Sequence, residues 1–201
     1  MALSEQEIIR REKLSHLKSI GIDPYPAPLF PVTHYSESVK RQYAEGHNES
    51  FDVTVAGRIL SINDKGKVFF IKIQDAEGLI QLYVKRDDIC PDEDKMFFDE
   101  VVKKADLGDI IGCSGYMFTT KTGEISIHAK EITLLAKSLK PLPIVKRDED
   151  GNVFDEVTDP EFRYRQRYAD LIINPSVKEN FVKRTKMMNC ICLLYTSPSP
   201  R

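Results

Sequence analysis

Val68-Phe69-Phe70-Ile71-Lys72-Ile73-Gln74-Asp75 alternates with the period of a half-buried strand. Phe69, Ile71 and Ile73 share one face, and Phe70, Lys72 and Gln74 share the other. The apolar set is the core face, so Phe70 stands among polar neighbours on the open side. Leu79–Arg86 repeats the scheme, with Ile80, Leu82 and Val84 inward and Gln81, Tyr83 and Lys85 outward. An open sheet face carrying rings, amides and ammonium groups suits unstacked nucleic-acid bases.

Outward from this pair the pattern predicts strands at Val53–Ile62, Ile110–Phe118 and Glu124–Leu135, with a helix at Glu93–Lys104. Turns fall at Asp64-Lys65-Gly66, Ala76-Glu77-Gly78 and Lys121-Thr122-Gly123, where glycine permits the sharp reversal. Five strands with a helix between the third and fourth predict an OB-fold, a Greek-key barrel that binds oligonucleotides, over residues 49–143.

Residues 1–48 read as a helical extension and connector. Ser4-Glu5-Gln6-Glu7 is a capping box with Leu3 and Ile8 as its hydrophobic staple, and the helix stops at Gly21. Its Arg10, Arg11 and Lys13 read either as a basic arm for phosphates or, more economically, as the wet face of a packed amphipathic helix. Gly21–Pro28 is a proline-punctuated connector, and a short helix follows at Ser36–Ala44.

Pro141-Leu142-Pro143 ends the barrel domain, and residues 144–192 form a separate segment. That segment holds a charged loop (Val145–Pro160), the basic aromatic run Arg163–Ile173 and a second capping box at Ser176–Glu179. The helix this box starts carries Phe181, Val182, Met187 and Met188 without apparent partners. Residues 193–201 abandon the helical pattern and read as a non-native tail.

The chain has 201 residues, 41% hydrophobic and 30% charged, the make-up of an ordinary soluble globular protein. A formal charge of -2 excludes a broadly basic polyanion binder, so nucleic-acid affinity needs a local basic surface. No apolar run is long enough to span a bilayer, and no signal peptide opens the chain, so the expected location is cytoplasmic. Cys90, Cys113, Cys190 and Cys192 lack metal or disulfide spacing, and the four histidines are scattered; neither metal nor cofactor is expected.

On the fifth strand Ile125, Ile127 and Ala129 point inward, so Glu124, Ser126, His128 and Lys130 point outward. The open face thus offers Phe70, Gln81 and Glu124. A ring there stacks on a base for about 1–3 kcal/mol. An amide both donates and accepts, and a carboxylate only accepts. A uracil edge, two carbonyls around one N–H, matches that pair. The bland alternatives are Phe70 covered by the N-terminal helix, Gln81 simply solvated, and Glu124 paired with Lys121 or Lys130.

Several motifs in order resemble the anticodon-binding region of class II lysyl-tRNA synthetases. They are Gly21–Pro26, Val55–Ile59, Gly66-Lys67, Gln74-Asp75, Ile80–Asp88, Leu107–Asp109, Thr120–Ser126, Leu139–Pro143 and Arg163–Ile172. The resemblance covers about Leu3 to Ile191. It implies that Phe70, Gln81 and Glu124 read the central anticodon uridine of tRNA(Lys), with Arg58, Asn63 and Lys67 as further contacts to the anticodon stem-loop. Ile62-Asn63-Asp64 departs from the family's arginines in the first loop, and Lys65 and Lys67 partly compensate. The resemblance further implies a full-length homodimer that activates lysine with ATP and Mg2+. Only Phe181–Lys186 resembles the start of a class II motif, so this chain by itself is expected to lack an aminoacylation site. The alternatives are the anticodon domain of an aspartyl or asparaginyl ligase, or a stand-alone OB-fold module for single-stranded nucleic acid.

Overall fold

The computed structural model describes residues 3–47, 49–90, 97–143, 146–147, 153–154 and 159–196. They fall into two units, Met1–Pro141 and Leu142–Arg201.

In the first unit, β1 (Asp52–Asp64), β2 (Val68–Gln74), β3 (Leu79–Lys85), β4 (Ile110–Thr119) and β5 (Ile125–Ala136) close into a barrel in the order β1-β2-β3-β5-β4. All neighbours are antiparallel except β3 and β5, which pair in parallel. Val55, Ile59, Phe69, Ile71, Ile73, Ile80, Leu82, Val84 and Ile127 fill the interior. Phe70 is absent from that core and half-buried on the outer wall.

The strands match the expected ones to within two residues. A bulge at Leu60 breaks the register between Ile59 and Ser61. One extra residue reverses the phase of the strand. Ile62 therefore turns toward the core, while Ser61 and Asn63 turn outward. Because β1 runs to Asp64, Asn63 belongs to a strand and not to the expected loop.

The expected helix at Glu93–Lys104 lies partly outside the described residues. Its described part is a π-helical turn, Phe98–Val102, whose Phe98 packs edge-on against Phe69 at 5.4 Å. A single helical turn, α3 (Arg86–Ile89), follows β3 directly. Helices α1 (Glu5–Ser19) and α2 (Ser36–Glu45) precede the barrel.

The α1 capping box forms as expected: the Glu7 N–H donates to Ser4 Oγ at 3.3 Å, and the Ser4 N–H to Glu7 Oε2 at 2.9 Å. Its basic residues mostly anchor the helix. Arg10 is only 8% exposed and donates to the carbonyls of Leu107 (3.0 Å), Ser138 (3.0 Å) and Lys140 (3.2 Å). Lys13 pairs with Asp106 at 2.6 Å. Lys137, 2% exposed in its side chain, bridges Asp106 (2.6 Å) and Asp109 (2.7 Å). A phosphate arm built on Arg10 and Lys13 is thereby replaced by a helix anchor; Arg11 alone of the three is exposed. Just after the connector, Phe30 is pressed equally close, since a Cβ at Gly112 would fall 2.4 Å from its ring.

In the second unit, β6 (Lys146–Arg147) pairs with β7 (Val153–Phe154). Helices α4 (Pro160–Arg165), α5 (Arg167–Ile173) and α6 (Pro175–Thr196) follow. Asp170 is fully buried and accepts from Arg163 (3.0 Å), Arg167 and Asn174 (2.7 Å). Burial alone would raise its pKa, but these hydrogen bonds and charges hold it below the ordinary carboxylate value. Two expectations shift here. Helix α6 begins at Pro175, with the Val177 and Lys178 amides donating to the Asn174 carbonyl, so Ser176 sits inside the first turn. Proline suits that first position because it has no N–H to leave unpaired. The helix also continues through Leu193 to Thr196, past the expected break; residues 197–201 lie outside the described residues. Phe181, Val182, Met187 and Met188 are exposed on it.

Candidate nucleic-acid interface

Strand register sets the outer wall of the barrel in two rows. The first runs Ser61, Lys72, Gln81, Ser126, Phe118 across β1, β2, β3, β5 and β4. The second runs Asn63, Phe70, Tyr83, His128, Tyr116 across the same strands. Directly paired residues present their side chains to the same face.

The second row is aromatic. Phe70 meets Tyr83 edge-on at 5.4 Å, Tyr83 meets His128 at 4.9 Å, and His128 stacks on Tyr116 at 4.8 Å with planes 8° apart. Phe118 reaches up from the first row to Tyr83 (5.5 Å) and His128 (5.7 Å). Lys130 lies 5.3 Å from the Tyr116 ring centre, and Asp88 sits 3.2 Å from His128 Nε2. His128 Nδ1 is buried without a hydrogen-bond partner. The wall that supports Phe70 is thus a continuous set of rings.

Beside Lys72 and Gln81 the first row borders a cleft of about 410 Å³, with Lys40, Gly123 and Glu124 also among its lining. Gly123 adopts φ 84°, a left-handed turn favouring glycine. Thr120 Oγ1 closes that turn by accepting from the Glu124 N–H at 3.0 Å. Glu124 is thereby carried to the rim, where its carboxylate meets Lys72 at 3.1 Å. This partner is neither Lys121 nor Lys130; the latter pairs with Asp52 at 2.9 Å.

Gln81 departs from expectation. It faces outward yet is only 8% exposed, and its Nε2 donates to Ser126 Oγ at 3.0 Å. The parallel β3–β5 pairing places Ser126 beside it, and a buried amide needs such a partner. The Ser126 hydroxyl donates onward to the Glu124 carbonyl at 3.3 Å.

Phe70, Gln81, Glu124 and the exposed Asn63 therefore share one wall. Arg58 is not brought to them. Its guanidinium donates to the Gly108 carbonyl at 2.8 Å, where burial lowers its pKa and Asp109 opposes that shift. Lys67 is exposed in the β1–β2 turn, beyond the strands. Sequence reasoning put Lys72 on the open face but not beside Glu124, and it missed Tyr116 and Phe118 as members of this wall. The alternation Ser114, Tyr116, Phe118 against Cys113 and Met117 carried the signal for the two rings.

Among the described residues, no group of three histidines, cysteines or carboxylates is placed to hold a metal ion, and no helix is long and apolar enough to cross a membrane.

A family model described as an OB-fold nucleic acid binding domain matches residues 53–135. The chain is 53% identical over 191 residues to a lysine–tRNA ligase of Porphyromonas gingivalis, covering 94% of this chain and 33% of that protein. A lysine–tRNA ligase of Azobacteroides pseudotrichonymphae is 53% identical over 190 residues, covering 94% and 38%. One from Christiangramia forsetii is 50% identical over 190 residues, covering 94% and 33%. The chain spans about a third of the length of the curated relatives it matches.

Proposed function

This chain belongs to the lysine–tRNA ligase family, corresponding to its N-terminal OB-fold region, and from that premise we propose that its barrel binds the anticodon stem-loop of tRNA(Lys). Phe70 stacks on the central anticodon base. Gln81 and Glu124 read the edge of that base, and Asn63 and the β1–β2 turn with Lys67 face the neighbouring backbone. Arg58 serves the reading indirectly, by fixing the Gly108 loop through its carbonyl.

One juxtaposition carries the reading. A ring outside the core stands on the same barrel wall as an amide and a carboxylate, and a cleft opens where the latter two meet. In the whole ligase, a homodimer, this contact selects the tRNA for a separate site that joins lysine to it using ATP and Mg2+.

Titration with anticodon stem-loops for lysine, aspartate and asparagine, beside a polypyrimidine strand, tests the proposal. Tightest binding to the lysine stem-loop is expected; equal binding to polypyrimidine would mark a non-specific module instead. Phe70→Ala should weaken the lysine stem-loop by about 1–3 kcal/mol, the worth of one stacked base. Its melting temperature should change little, because the ring lies outside the core.

A further inference from the structure

Lys72 faces the cleft beside Gln81, its direct partner across β2 and β3, and meets Glu124 at 3.1 Å. Its side chain and that of Glu124 are about half exposed, at 47% and 44%. A lone surface ion pair of this kind contributes little to stability, so its place beside the amide is the informative feature.

We propose that Lys72 is a specificity-determining residue: with Gln81 and Glu124 it completes a donor–acceptor–donor edge that selects uracil. This rests on the anticodon reading above. A uracil edge presents three groups in sequence, carbonyl, N–H and carbonyl. Gln81 and Glu124 answer only two of them. One Gln81 N–H is taken by Ser126, which leaves the second for one carbonyl. The Glu124 carboxylate takes the uracil N–H. The second carbonyl needs a donor next to that carboxylate, and the Lys72 ammonium is there.

Cytosine fails at two of the three points. Its ring nitrogen has no proton and would present a lone pair to the Glu124 carboxylate. Its amino group would oppose one of the two donors. Lys72 also offsets the Glu124 charge before the base arrives, so the carboxylate is held in place without an unpaired anion on the wall.

The test uses the full chain and RNA stem-loops differing only in the central base, uracil or cytosine, with wild type, Lys72→Met and Lys72→Arg. Wild type should prefer uracil. Lys72→Met should reduce that preference about ten-fold, the order of discrimination one well-placed hydrogen-bonding contact gives. Lys72→Arg, which keeps a donor and a charge, should retain part of it. Melting curves should coincide, because the Lys72 side chain is half exposed.

A uracil preference in Lys72→Met equal to that of wild type overturns the proposal and leaves the anticodon reading intact. So does equal weakening of both stem-loops with a shallower salt dependence, which would make Lys72 a phosphate contact. A wild-type protein that binds both stem-loops alike overturns the anticodon reading, and this proposal with it.

Discussion

Gln81 shows what strand alternation determines and what it leaves open. Period two sends the side chain outward, but exposure depends on what pairs with it. The β3–β5 contact joins positions 45 residues apart, and it turns an open amide into a buried one bonded to Ser126. Removing that donor should therefore cost folding as well as recognition. Gln81→Ala is expected to destabilise the barrel by about 1 kcal/mol, the net worth of one neutral hydrogen bond. Chemical denaturation of the variant checks this. An unchanged midpoint together with lost base preference would mean that the amide serves only the ligand. Phe70 and Glu124 were more legible, since their neighbours along the strand and turn decide their direction. The Lys72–Glu124 pair spans 52 positions, so nothing local signals it.

At the scale of elements, the five strands were legible because alternation and glycine turns are short-range signals. Departures came where one residue interrupts the period or a distant contact captures a side chain. The Leu60 bulge turns Asn63 onto the Phe70 wall, and the basic face of α1 is largely spent on the barrel. Burial alone would raise the Asp106 pKa, but hydrogen bonds from Lys13 and Lys137 outweigh it, and the net shift is downward. A carboxylate depressed on folding contributes stability above its unfolded pKa of about 3.9, and the contribution is lost as pH falls through the lower folded value. The Asp106 share of the α1 anchor should thus be complete through neutral and mildly acidic solution and begin to fade below about pH 4, while the Arg10 contacts to backbone carbonyls persist. Asp106→Asn should cost about 1.5–3 kcal/mol at pH 7, the range for hydrogen bonds to charged groups. Thermal melts of both proteins from pH 7 to pH 3 should show that gap closing as wild type protonates. A gap constant across that range would mean that the carboxylate charge contributes nothing to docking.

For the molecule as a whole, a net charge of -2 and a nucleic-acid-binding wall are compatible only if cations are placed and not merely abundant. Around the wall, Lys65 and Lys67 occupy the β1–β2 turn, and Lys40 projects from α2 at the cleft. Arg10, Lys13 and Lys137 serve the fold, and Arg58 holds a backbone carbonyl. For phosphates the proposed reading assigns the three lysines Lys40, Lys65 and Lys67. Each neutralised phosphate of a single strand contributes about 0.7 to the fall of log affinity with log salt, so three lysines imply a slope of roughly -2. The remaining affinity should come from stacking and edge contacts, which salt screens weakly. Stem-loop titrations between about 50 and 200 mM salt, the range over which counterion release is commonly resolved, should give that shallow line. Preference for the lysine anticodon should persist at the upper end. Lys65→Ala combined with Lys67→Ala should flatten the slope while leaving base preference intact, because those two side chains stand beyond the strands that carry Phe70, Gln81 and Glu124. A slope steeper than about -4 would instead require many phosphate contacts, and the wall would then act as a general polyanion surface, not as a reader of one loop.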